Sequence, residues 1–131
     1  QSPRVSGSHQ AHYAPYTPLH LYCEGDIAQQ ITEQSKRSSK KMALIVWHDC
    51  FDLYRKNFAN VSAQLELSAV ENNPKQLGQM LYRLLRDLDQ KNFGAIFIPN
   101  PPPGEPWDAV RDRLQRASFG SGPSSNNQVN S

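Results

Sequence analysis

The chain has little of what disulfide scaffolds, membrane spans and nucleotide cradles are built from. Its 131 residues include two cysteines, Cys23 and Cys50, too few and too irregularly placed for a disulfide framework. Both are expected as free thiols at strand ends. The longest apolar run, Met42 to Trp47, is far short of the roughly 20 residues a membrane span needs, and no basic-then-apolar leader opens the chain. A cytoplasmic protein without a membrane partner is the expectation. Charge of one sign is scarce too: the formal net charge is +2, and Arg4 is the only charged residue outside Leu19 to Ser118, so no strong field for polyanions follows. Neither G-x-G-x-x-G nor G-x-x-x-x-G-K-[ST] occurs, which removes the usual warrant for a dinucleotide or P-loop reading.

What is present is concentrated in the middle. Residues 1–18 and 119–131 supply seven apolar side chains, whereas Leu19 to Ser118 supplies 42, enough for one core. Residues 1–18, QSPRVSGSHQAHYAPYTP, have no period of 2 or 3.6 and read as a linker, which leads to the expectation of a further segment upstream. Residues 119–131, rich in Ser, Asn and Gly without charge, read as a disordered tail.

Between them the pattern alternates. Leu19 to Cys23 reads as a short strand, followed by the turn Glu24-Gly25-Asp26 and a helix from Ile27 to Arg37. Asp26 is placed to cap that helix with Gln29 at the capping-box position, and Ile27, Ala28 and Ile31 are expected inward. Met42 to Trp47 is apolar without alternation, as in a strand buried on both faces, and is expected at the sheet centre. His48 to Val61 is irregular, with a helical turn around Phe51 to Arg55, and Gln64 to Ser68 alternates like an edge strand. From Pro74 to Gln90 the residues Leu77, Met80, Leu81, Leu84, Leu85 and Leu88 fall at helical spacing. Ala95 to Ile98 forms a fourth strand, and Pro106 opens a helix to Ala117 with Trp107, Val110 and Leu114 inward. The order is that of an α/β domain: small, Rossmann-like and three-layered, with a mostly parallel four-stranded sheet and helices on both faces. A half-Rossmann strand order, 3-2-1-4, is expected.

Several chemistries lack their residues. The acidic first turn disfavours phosphate at the helix start. His48, Cys50 and Cys23 lack metal-ligand spacing, and the same residues offer no orienting third group for a Cys-His nucleophile. The carboxylates of an aspartate-phosphorylation site are missing after the third strand, which ends in Ser68-Ala69. Neither catalytic nor metal-ligating residues are assigned. On the last helix, Asp108/Arg111 and Asp112/Arg116 have ion-pair spacing, giving a salt-bridged surface or a docking face for another domain.

Three stretches together resemble a known family: PRVSGSHQAHYAP at residues 3–15, LYRLLRDLD at 81–89 and AVRDRLQRAS at 109–118. They are similar to the C-terminal, Sua-type part of the two-domain L-threonylcarbamoyladenylate synthases of the YrdC/YciO/Sua family, over residues 3 to 118. In that family a YrdC-like catalytic domain is followed by a linker ending in His-Tyr-Ala-Pro and then by a small Rossmann-like domain. The resemblance implies a parent nucleotidyltransferase that condenses ATP, threonine and bicarbonate into threonylcarbamoyl-AMP for t6A modification of tRNA, with Mg2+ assisting. It implies no cofactor in this chain, since ATP and Mg2+ belong to the catalytic domain. The implied partners are that domain, on the same polypeptide, and the tRNA-modification machinery. It further implies that the linker folds over the catalytic cleft, with Arg4, Ser6, His12 and Tyr13 as the candidates to contact substrate nucleotide. This linker has RVSGSHQA before its His-Tyr-Ala-Pro, a departure from the commoner PGM-[KR]-Y-[KR]-HYAP form, and Trp107 stands where many members carry a small or aliphatic residue.

Two other functional classes are compatible with the sequence. An independent ligand-binding module predicts a pocket near Cys23, His48 and Ser68. An RNA-binding module would use Lys36, Arg37, Lys40 and Lys41.

Overall fold

Two uninterrupted apolar runs set the architecture. Met42–Trp47 forms strand β2 and Ala95–Pro99 forms β4; every residue of both is buried except Trp47, which is half-buried. Such strands need cover on both faces. The computed structural model, which describes residues 12–123, supplies it from helices on each side of a four-stranded parallel sheet. The remaining strands are β1 (Leu19–Tyr22) and β3 (Leu65–Val70). The helices are α1 (Ile27–Arg37), α2 (Phe51–Asn57), α3 (Pro74–Asp89) and α4 (Asp108–Gly120).

The strict alternation of side chains across a strand divides the core in two. Ala43 and Ile45 of β2 with Ile96 and Ile98 of β4 face α3 and α4, meeting Leu77, Leu81, Leu85, Leu88, Val110 and Leu114. Met42, Leu44 and Val46 with Ala95 and Phe97 face α1 and α2, meeting Ile27, Ile31 and Tyr54. The expected α/β, three-layer fold is therefore present, with all strand pairs parallel.

Strand order is a correction. The sheet runs β1-β4-β2-β3, so β4 lies between β1 and β2, and β1 rather than β4 forms the second edge. The physical reason is polarity: β4 is buried on both faces, whereas β1 exposes His20 and Leu21 partly and suits an edge.

Smaller corrections concern helix ends. Ala28 is exposed and Gln34 takes the third inward position of α1, its Nε2 donating to Gly94 O at 3.5 Å. Asp26 occupies the N-cap position without capping; its Oδ1 accepts from Cys23 N at 3.2 Å and from Gln30 Nε2 at 3.0 Å. Gln29 donates to Glu33 at 3.2 Å, so no capping box forms. The helical turn expected near Phe51 is a full α2 flanked by 3-10 turns at His48–Cys50 and Ala59–Gln64. Met80 and Leu84 sit at the margin of the α3 interface, half-buried, while the four other apolar residues of that stripe are buried.

Helix α4 also outruns its expected end at Ala117, reaching Gly120, and the contacts there explain why. In the parallel pairing of β1 with β4, Pro18 O and Tyr22 O accept from Ile96 N and Asn100 N, which leaves the Leu19 peptide groups facing the open edge. Ser118 Oγ donates to Leu19 O at 2.7 Å, and Leu19 N donates to Ser121 Oγ at 2.9 Å. Serines that composition assigned to a helix end and a tail thus satisfy an edge strand's backbone, which would otherwise be a pairing template.

Candidate functional site: the His-Tyr-Ala-Pro segment on α3 and α4

The site is built on the C-terminal end of α3. Asp89, the last residue of that helix, stands where the helix dipole disfavours an anion. Compensation comes from the segment that leads into β1. Tyr13 Oη donates to Asp89 Oδ2 at 2.8 Å and Tyr16 N to the same oxygen at 3.0 Å. Thr17 N and Thr17 Oγ1 donate to Asp89 Oδ1 at 2.9 and 2.8 Å. Each carboxylate oxygen therefore accepts two bonds, the strong, charge-assisted kind.

Packing follows the same line. The Tyr13 ring meets Tyr82 of α3 edge-on, with centroids 5.4 Å apart, and lies against the core cluster beneath α3 and α4. Pro15 is completely buried, and its carbonyl accepts from Gly122 N at 3.2 Å. Ala14 passes so close to α4 that a Cβ at Gly120 would stand 3.0 Å from its methyl carbon. Gly122 itself has φ of 82°, a left-handed conformation that glycine adopts without strain. His12 is exposed, with Nδ1 3.3 Å from Nη1 of Arg116 on α4, a contact in which a guanidinium can only donate. Arg116 is itself paired with Asp112 at 3.2 Å, and Arg111 with Asp108 at 2.7 Å, the two pairs expected from spacing.

Of the four candidate residues, the structure brings His12 and Tyr13 together on this surface; Arg4 and Ser6 lie outside the described residues. Periodicity put the His-Tyr-Ala-Pro motif outside the core, yet Tyr13 and Pro15 pack onto it, because the ends of α3 and α4 offer both a carboxylate and a glycine-lined gap. Sequence reasoning missed Asp89, Tyr82 and Gly120, and named Arg116 only as an ion-pair partner of Asp112. One signal was available for the first: an acid in the last turn of a long amphipathic helix opposes the dipole and asks for donors from elsewhere.

The other end of the sheet was the conventional place for a ligand. A cleft of about 350 Å3 opens there, lined by Tyr22, Cys23, Glu24, Trp47, Cys50 and Tyr54 among others. His48 and Ser68 are not among its lining residues. Tyr22 is buried and donates to Ile45 O at 2.8 Å; burial, and then neighbouring Tyr54, pushes its phenol well above the ordinary range. Cys23 and Cys50 are free thiols.

The helix starts at this end do not form a phosphate cradle. Asp26 sits at the start of α1, Asp52 in the first turn of α2 and Asp108 in that of α4. The start of α3 is closed by Pro74 and by Asn73 Oδ1, which accepts from Gln76 N at 2.9 Å. Helix starts that hold carboxylates or a side-chain cap do not offer bare N–H groups to phosphate. Among the described residues no group of three or more His, Cys, Asp or Glu side chains is placed to hold a metal ion, and no helix is long and apolar enough to cross a membrane.

Comparison of the chain with curated proteins and with solved structures gives no match. A family model does match: residues 1–118 fit the C-terminal domain of threonylcarbamoyl-AMP synthase, and the chain belongs to that family.

Proposed function

We propose that this domain is the accessory, non-catalytic part of a cytoplasmic L-threonylcarbamoyladenylate synthase, and that the segment entering it gates the active site of a YrdC-like catalytic domain on the same polypeptide. In that reaction ATP, threonine and bicarbonate yield threonylcarbamoyl-AMP and pyrophosphate, the product serving t6A modification of tRNA. ATP and Mg2+ bind the catalytic domain, a nucleotidyltransferase, and Arg4, Ser6, His12 and Tyr13 form the gating segment. A closing segment excludes water from a hydrolysable mixed anhydride and completes the site around it.

The observation that carries this reading is the course of the His-Tyr-Ala-Pro motif. It packs on α3 and α4 through Tyr13 and Pro15 while the His12 ring stays exposed at the surface of α4, and the strand ends of this domain are rimmed with carboxylates. Support also comes from membership of the synthase family over residues 1–118.

A turnover assay tests it. With ATP, threonine, bicarbonate and Mg2+, the 131-residue chain is expected to release no pyrophosphate above background, and a YrdC-like catalytic domain joined upstream of it is expected to release pyrophosphate at a rate that falls when His12→Ala is introduced. Metal-dependent release by the chain alone, or a joined enzyme indifferent to His12, overturns the proposal.

A further inference from the structure

Asp89 is a half-buried acid at the end of a helix whose dipole disfavours it, and each of its oxygens accepts two hydrogen bonds from residues 13–17. Nothing in the packing of α3 requires this carboxylate; the four buried leucines of that helix lie on its other positions. We infer that Asp89 is the positioning residue of the His-Tyr-Ala-Pro segment: by holding Tyr13, Tyr16 and Thr17 at once, it fixes where His12 stands above α4. The consequence for catalysis rests on the gating reading.

The geometry divides the labour within the motif. The Tyr13 hydroxyl is bonded to Asp89 and its ring to Tyr82, so Tyr13 is an anchor. Pro15 is the buried peg, bonded through its carbonyl to Gly122. His12, one residue upstream of the anchor, is the exposed member and meets Arg116. Two helices, α3 through Asp89 and α4 through Arg116 and Gly120, therefore set the position of one imidazole.

Asp89→Asn preserves shape but turns one acceptor oxygen into a donor, facing two donors. In the 131-residue chain, amide exchange of Tyr16 and Thr17 should accelerate by roughly tenfold or more, as expected for loss of charge-assisted bonds, while Leu81, Leu85 and Ile96 keep their protection. Unchanged exchange at Tyr16 and Thr17 overturns the inference. Thr17→Val, which removes one donor and keeps the carboxylate, guards against a variant that fails to fold; it should raise exchange at the Thr17 amide by a smaller factor, and no change there also overturns the inference.

The second arm is a double-substitution cycle on turnover of the joined enzyme. Acting through His12, Asp89→Asn should lower kcat in the parent and have no further effect in a His12→Ala background. A merely structural role predicts equal factors in both backgrounds, and that result contradicts positioning. If His12→Ala leaves kcat untouched, the gating reading fails, and the exchange data alone decide whether Asp89 holds the segment.

Discussion

Asp89 and Thr17, 72 positions apart in sequence, share two hydrogen bonds through a single carboxylate oxygen, at 2.9 Å from the Thr17 amide and 2.8 Å from its hydroxyl. Thr17 is buried, so removing the acceptor leaves two donors unpaired rather than handing both back to water. Asp89→Ala is therefore expected to destabilise the domain by about 2–4 kcal/mol. Urea unfolding of the variant beside the parent chain measures it; a loss under about 0.5 kcal/mol, the range of ordinary surface substitutions, would show that the clamp adds nothing to stability.

The leucine stripe of α3 does not contribute evenly. Leu85 is 2% exposed, whereas Leu84 is half-buried at the margin. Leu85→Ala should cost about 3–5 kcal/mol and Leu84→Ala about 1–2 kcal/mol, because only the first leaves an enclosed cavity. Equal losses in chemical denaturation would mean that the α3 interface is packed differently.

Gly120 and Gly122 both meet the segment that leads into β1, the first at Ala14 and the second at Pro15. A methyl group at Gly120 would meet Ala14 at 3.0 Å, and Gly122 adopts φ of 82°. Each change to alanine is expected to cost about 1–2 kcal/mol. The Gly120 variant should in addition speed amide exchange at Tyr16, whereas a Gly120→Ala protein with parental stability and exchange would refute the close approach.

His20 provides a pH signature. Burial, and secondarily the Arg37 charge, holds its imidazole below the ordinary histidine range, and the ring stacks on Phe97 at 5.3 Å. The folded state thus favours neutral His20, and the unfolded chain binds the proton more readily. That contribution to stability is complete above the unfolded value and is lost as pH falls through it, so Tm should drop between about pH 7.5 and 5.5. His20→Gln should flatten that part of the profile. Parallel Tm profiles for the two proteins would contradict the assignment.

How much of this was legible in the sequence depended on the distance over which each feature is encoded. The α3 stripe and the β2 run are local patterns, and Leu77, Leu81, Leu85 and Leu88 are buried as their spacing requires. Strand order was not local. The completeness of the Ala95-Ile96-Phe97-Ile98 run carried the clue to an interior place for β4, the same clue that placed β2, but a half-Rossmann order moved β4 to the edge. The Asp89 clamp was least legible, since its donors lie 72 to 76 residues away and residues 12–17 have no periodicity to announce that they pack. Only the conflict of an acid with a helix C-terminus pointed there.

Steady-state turnover of the joined enzyme carrying His12→Ala, measured beside its Tm, shows what the exposed ring of His12 does once Tyr13 and Pro15 have fixed it. A lower kcat for pyrophosphate release at unchanged Tm is expected, because the ring is exposed and meets Arg116 at the surface of α4. Parental turnover at parental Tm would contradict it and reduce the His-Tyr-Ala-Pro segment to a passive tether.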